Sequence, residues 1–279
     1  MKKETLKKIL TTVLISSMVF GMAGCGKTKS IEKKKKQEIT TIEMAVSSDM
    51  TVSVDALKEP LKEAGYELNV TVFDDYIMPN QALAEGSVMC NFYQNPPYLD
   101  AYNESNGTDL VFVTPAILPV PYGVYSKNLS SLDELENGMK IAMPNAPTNR
   151  QRCLKMLEDA GVLKLAESPA DEYYSQDDIT SNPKNIEIIE IETFSLYALM
   201  DDVAAIMLPT QTYFECGGDA STAIYRQEDT LDGYYACGIV VRPEDKDSEW
   251  VKAIIEAGES EEFKKAHEER YPGVFNFEW

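Results

Sequence analysis

The sequence predicts an α/β fold with mixed, largely parallel sheets. Strand-like and helix-like runs alternate from residue 41 to the end, the order that parallel strands joined by helices require. The composition, 44% hydrophobic with 15 tyrosines, supports a packed core. About 255 residues remain beyond residue 24, enough for one large domain or two lobes.

In chain order, Thr41–Val46 reads as a strand and Val54–Ala64 as a helix closed near Gly65. Glu67–Phe73 alternates as a strand, Asn80–Ala84 suggests a short helix stopped by Gly86, and Val88–Phe92 is strand-like. Pro97–Glu104 is helical and Leu110–Val113 another strand. A new segment starts at Val124–Tyr125, and Ser130 is placed to cap a helical turn over Leu132–Leu135. Lys140–Met143 is a strand. The helix from about Thr148 to Ala160 ends at Gly161, a left-handed stop. Asn185–Glu192 reads as strand, Phe194–Asp201 as helix, Ala204–Leu208 as strand and Tyr234–Val241 as strand. Trp250–Gly258 and Ser260–Glu269 close the chain as helices. In such folds ligands gather at the carboxyl ends of strands.

Residues 1–24 carry a basic head (Lys2, Lys3, Lys7, Lys8) and an apolar run broken by Thr11, Thr12, Ser16 and Ser17. The run is shorter than the roughly 20 residues of a spanning helix, so it reads as an export signal. It ends in Met22-Ala23-Gly24-Cys25, which resembles a bacterial lipobox with Met22 where Leu is more usual. Cys25 is the expected lipidation site, and two acyl chains give stable attachment to a lipid bilayer. Residues 25–39, with Lys27, Lys29 and Lys33–Lys36, read as a disordered tether. The expected location is the cell membrane, lipid-anchored on its extracytoplasmic face.

Charge narrows the function further. Residues 1–36 hold 10 of the 26 basic side chains and two of the 46 acids, leaving 16 basic against 44 acidic. A body this acidic repels phosphate backbones, so no nucleic-acid partner is expected. Cys90, Cys153, Cys216 and Cys237 form no CxxC pair, and the one histidine, His267, lies in a charged segment that reads as solvated helix. Neither spacing suits a metal site; no metal, cofactor or catalytic residue is expected. The thiols read mostly as buried and free.

Three segments carry candidate chemistry. Phe73–Gly86 and Asn91–Asp100 are aromatic-rich and follow successive strands; such side chains line a cleft or merely cap a core. Met143–Arg152 joins a strand to a helix, with Thr148 or Asn149 placed to cap it. Arg150 or Arg152, one turn in, suits a carboxylate, which a guanidinium grips with two parallel hydrogen bonds; surface ion pairing is the plainer role for at least one of them.

These stretches together resemble the NlpA/MetQ family, the methionine-binding lipoproteins of ABC importers. The matching segments are Asp75-Tyr76-x-x-Pro79-Asn80-x-Ala82-Leu83, Gln94-x-x-Pro97-Tyr98-Leu99-Asp100, Tyr125-Ser126-Lys127, Ser131–Leu135, Pro144-Asn145-x-Pro147-Thr148-Asn149-x-x-Arg152, Asn182–Asn185 and Trp279, in family order. The resemblance implies a two-lobed periplasmic-binding-protein (Venus-flytrap) fold over residues 40–279, with the ligand cleft between lobes. Lobe 1 is expected at about 40–120 plus 236–279, and lobe 2 at about 121–235. It implies a monomer that delivers a small-molecule ligand, methionine or a related amino acid or short peptide, to an ABC permease in the membrane. It selects Arg152 for the carboxylate, with Asn145 beside it, and Tyr76 and Tyr93 flanking the ligand side chain.

The departures from that family concern the cargo. Tyr93 stands where Phe is usual, and Asn95 where His is common. An Asn of an Ile-Asn-Thr segment is replaced by Pro209 or Thr210, and a second Asn by Cys237; Ala146 replaces an Asp. A thiol cannot reproduce an amide's paired donor and acceptor. Two buried polar groups left unpaired at roughly 1–3 kcal/mol each weaken methionine binding by about two to four decades. The expected ligand set is therefore Tyr76, Tyr93, Asn95, Asn145, Arg152, Thr210 and Cys237, with a cargo other than free methionine at the usual affinity. Two alternatives stand beside the receptor: a surface scaffold or adhesion lipoprotein that has lost amino-acid binding, and a lipoprotein hydrolase, which lacks an evident base for a nucleophile.

Overall fold

The structure, a computed structural model, describes residues 40–228, 233–275 and 277. The expected export signal, Cys25, the tether and Trp279 lie outside the described residues. No helix among the described residues is long and apolar enough to cross a membrane.

The chain opens with β1 (Thr40–Ser47) and α1 (Thr51–Glu63), which buries Val54, Leu57 and Leu61 at helical spacing. Gly65, at φ 91°, turns it into β2 (Tyr66–Phe73), which pairs in parallel with β1 from Thr40↔Tyr66 to Ser47↔Phe73. Then come α2 (Met78–Ala84), β3 (Cys90–Gln94), α3 (Pro96–Asn106) and β4 (Val111–Leu118). A second sheet follows: β5 (Tyr122–Tyr125), β6 (Lys140–Pro144), α4 (Pro147–Asp159), the small ribbon β7 (Lys164–Leu165) and β8 (Ile179–Ser181), β9 (Glu187–Ile191), β10 (Ala205–Pro209), α5 (Thr210–Glu215) and β11 (Ala223–Gln227). The chain then rejoins the first sheet as β12 (Cys237–Val241) and ends in α6 (Glu249–Gly258) and α7 (Glu261–Arg270).

The sheets run β2-β1-β3-β12-β4 and β11-β5-β10-β6-β9. Each is mixed. β1 is parallel to β2 and β3, and β6 is parallel to β9 and β10. β12 and β5 are antiparallel to their neighbours, because each enters its sheet from the other sheet rather than through a crossover helix. One core packs β1, β3 and β12 against α1 and α6, around Ile42, Leu57, Phe92, Ile239 and Ile254. The other packs β6 and β10 against α4, around Ile141, Leu154, Leu157 and Met207.

Several local readings change. Neither Thr148 nor Asn149 caps α4: its N-cap is Ala146, without a side-chain bond, and Pro147 occupies the first turn, where its missing N–H costs no hydrogen bond. Ser131, rather than Ser130, caps the short turn Leu132–Glu134. The expected helix at 194–201 is a 3-10 run, Thr193–Leu199, and the last strand starts at Cys237 instead of Tyr234. Gly161 does leave α4 in the left-handed region, at φ 74°.

His267 is the largest correction. The charged residues around it suggested solvent, yet it is fully buried. Phe263, His267 and Tyr271 recur every fourth residue, so they form one stripe facing inward. Its Nδ1 must donate to the Phe263 carbonyl at 2.7 Å, which leaves Nε2 to accept from Ser53 Oγ at 2.7 Å.

Candidate functional site

Strand ends converge where the two sheets meet. β1 leads into Asp49, β2 into Tyr76, β3 ends at Gln94 before Asn95, β6 leads into α4, and β10 ends at Pro209. All are carboxyl ends, where the fold class places ligands. They enclose a cavity lined by Asp49, Tyr76, Tyr93, Gln94, Asn95, Tyr98, Val120, Tyr122, Asn149, Arg152, Pro209, Gln211 and Cys237, among others. Its volume is about 40 Å³.

Arg152 reaches this cavity from the second turn of α4 and is 1% exposed. Its Nε donates to Gln227 Oε1 at 2.7 Å and one terminal nitrogen to the Val120 carbonyl at 2.9 Å. The guanidinium lies over the rings of Tyr122 (4.5 Å) and Tyr235 (4.2 Å), a desolvated cation–π setting. Arg150, two residues earlier, turns outward: it pairs with Glu190 at 3.3 Å and donates to the Tyr174 carbonyl. Of the two arginines, Arg152 lines the cavity and Arg150 makes the ion pair.

One wall is aromatic. Tyr76 and Tyr93 stack with centroids 5.9 Å apart, Tyr98 stands edge-on to both, and Phe194 reaches Tyr76 from the second sheet's side at 5.0 Å. Tyr98 Oη donates to the Tyr76 carbonyl at 2.9 Å, fixing the corner. Among the described residues, Tyr93 Oη and Tyr122 Oη are buried without a hydrogen-bond partner. Burial holds both hydroxyls well above the ordinary phenol range; for Tyr122, Cys153 and Asp49 add to the rise and Arg152 opposes it.

Asn95 lines the cavity, but its Oδ1 accepts from Tyr98 N at 3.0 Å and caps α3. Asn therefore serves the helix at this position as well as the cavity. Gln94 is held by a buried amide network in which its Nε2 donates to Asn91 Oδ1 at 2.8 Å and its Oε1 accepts from Asn80 Nδ2 at 2.9 Å. Cys237 lines the cavity and its thiol donates to the Tyr93 carbonyl at 3.4 Å.

Of the expected residues, Tyr76, Tyr93, Asn95, Arg152 and Cys237 come together. Two lie elsewhere. Thr210 is buried, its N–H bonded to the Pro121 carbonyl, and Pro209 lines the cavity in its place. Asn145 is exposed and lines an outer groove of about 400 Å³ with Asp75, Tyr102 and Glu192, which shares Tyr76 and Tyr98 with the cavity. Asp49, Gln211, Tyr122 and Asn149 were not anticipated as site residues. Asn149 was legible as a polar residue one turn from Arg152; Asp49 and Gln211 carry no local signal.

Ser53 and His267 form a pair whose spacing resembles a nucleophile and base. Both are fully buried and neither lines the cavity. Burial pushes the His267 imidazole down to about 4, and the pair reads as core packing of α1 against α7. Cys90 and Cys153 are buried free thiols, Cys237 is a buried thiol and Cys216 is half-buried; burial raises the Cys90 and Cys153 thiols far above their ordinary range.

A family model described as NlpA lipoprotein matches residues 41–279. The D-methionine-binding lipoprotein MetQ of Salmonella typhi is 33% identical, covering 93% of each chain. The methionine-binding lipoprotein MetQ of Bacillus subtilis is 32% identical, covering 96% of this chain and 98% of its own. Among solved structures, a nutrient binding protein from Burkholderia cenocepacia bound to methionine superposes with a TM-score of 0.74 at 32% identity, covering 84% of this chain and 98% of its own.

Proposed function

The chain belongs to the NlpA lipoprotein family, and we propose that it captures methionine or a related amino acid outside the cell and hands it to an ABC importer. The observation that carries this reading is the buried guanidinium of Arg152 in a cavity walled by stacked tyrosines. The guanidinium fork matches a carboxylate, and ring faces suit an apolar or thioether side chain. A lipid on Cys25 and the Lys-rich tether keep the folded body, acting as a monomer, beside its permease.

Capture works by population shift. The two sheets belong to two lobes, and a ligand that touches both favours the closed arrangement. Arg152 approaches the ligand from the second sheet's side; Tyr76 and Tyr93 approach from the first. The closed form then docks on the permease. The reading is that of a binding protein rather than an enzyme, since the Ser53–His267 pair stands apart from the cavity.

Calorimetric titration of the purified body with the standard amino acids and D-methionine tests the reading. At least one binds, and Arg152→Ala loses that binding. Unchanged affinity in Arg152→Ala, or no binding of any of these compounds by the wild type, overturns it.

A further inference from the structure

The cavity holds a second charged group whose partners leave its charge unanswered. Asp49 is buried, 4% exposed, just beyond the end of β1. Its Oδ1 accepts from Ser47 Oγ at 2.6 Å, and its Oδ2 accepts from Tyr76 Oη at 2.8 Å and Thr212 Oγ1 at 2.7 Å. All three donors are neutral hydroxyls, and Asp49 makes no ion pair among the described residues. A carboxylate offers about four acceptor positions, so three hydroxyls leave it able to accept once more.

Gln211 stands beside it. Its Nε2 donates to the Asp49 backbone carbonyl. A carbonyl only accepts, so the amide nitrogen must face it and Oε1 is turned the other way. Among the described residues that Oε1 is buried without a hydrogen-bond partner, on a side chain that is 1% exposed and lines the cavity. Asp49 and Gln211, one carrying an anionic acceptor and one a neutral acceptor, therefore line the same cavity as Arg152. Tyr122 Oη lies within the fields of both charges, since Asp49 and Arg152 move its ionisation in opposite directions.

The geometry points to Asp49 and Gln211 as the ammonium-binding end of the site, opposite the carboxylate end at Arg152. The ligand is then a free α-amino acid zwitterion, with its amino group unblocked. This rests on the proposed amino-acid reading and adds the residues that demand the amine. It also ties recognition to closure. Asp49 belongs to the first sheet's side and Gln211 and Thr212 to α5 of the second, so the acceptor pair exists only where the two meet.

The test is calorimetric titration with three probes: L-methionine, N-acetyl-L-methionine, and the hydroxy analogue in which a hydroxyl stands for the ammonium. If another standard amino acid binds more tightly, it and its two derivatives are used. The proteins are the wild type, Asp49→Asn and Gln211→Leu, each checked for a cooperative melt. The wild type should prefer the free amino acid to either derivative by about a hundredfold, and each variant should weaken the free amino acid by about tenfold or more. The hydroxy analogue should change little, so the preference collapses. A preference left intact in the variants, or an equal loss for all probes, overturns the assignment while the amino-acid reading stands. Should Asp49→Asn fail to fold, the same ratio in Gln211→Leu decides. A wild type that binds no amino acid overturns both.

Discussion

Arg150 and Arg152 differ by two positions in one helix, and about 200° of helical rotation separates them. Arg150 reaches Glu190 in a mostly buried pair, the side chains 19% and 21% exposed, and also donates to the Tyr174 carbonyl. Arg150→Ala should therefore lower stability by about 1–3 kcal/mol in urea denaturation and leave ligand affinity unchanged. A tenfold affinity loss in that variant contradicts the division of roles. Tyr93 offers a second residue-scale prediction. Its hydroxyl is buried and unpaired, and removing such a group relieves its desolvation. Tyr93→Phe should melt at the wild-type temperature or higher in the absence of ligand. A clear fall would show that the hydroxyl has a partner in solution.

The helices carry the next scale. α3 starts at Asn95, whose Oδ1 bond to Tyr98 N replaces one missing backbone partner. Asn95→Ala should cost about 1 kcal/mol of stability, while Asn95→Asp, which keeps the acceptor, should cost less; equal losses contradict the capping role. α7 carries His267 into the core, with a folded pKa of about 4 against an ordinary 6.5. Between those values the unfolded chain takes up a proton that the folded chain does not. Its contribution is full above pH 6.5, falls as pH drops toward 4 and levels off below, amounting to roughly 3 kcal/mol. Urea melts from pH 8 to 4 should show this loss, and His267→Gln should flatten it. An identical profile in the variant contradicts the assignment.

For the whole molecule, charge and cross-sheet contacts dominate. The chain beyond residue 36 carries 44 acids against 16 bases, and self-repulsion of that size destabilises the compact state. Raising salt from about 10 to 150 mM shortens the screening length from about 30 to 8 Å. The melting temperature should rise over that range; a fall would mean that ion pairs outweigh repulsion. Against the repulsion stand polar bonds across the sheets. Thr212 binds Asp49, Arg226 of β11 donates to the Gly273 carbonyl at 2.7 Å and to that of Val274, and Arg270 of α7 pairs with Glu215 of α5 at 3.2 Å.

Although β7, β8, α5 and β11 escaped it, the sequence by itself determined the order of the other elements, the Gly161 stop and three of the segments that reach the site. These are local matters: periodicity, turn chemistry and motif spacing act within a few residues. Arg152, Tyr76 and Tyr93 were legible through their match to the NlpA/MetQ family motifs; their place at strand ends left core capping and surface pairing equally open. Only the tertiary structure decided that Pro209 rather than Thr210 faces the cavity and that Asn145 stands outside it. It alone buried His267, whose charged neighbours point to solvent while its stripe-mates Phe263 and Tyr271 point inward. It alone joined Asp49 to Gln211, 162 positions apart. No local pattern encodes that meeting, because it exists only when two separate sheets bring their strand ends together.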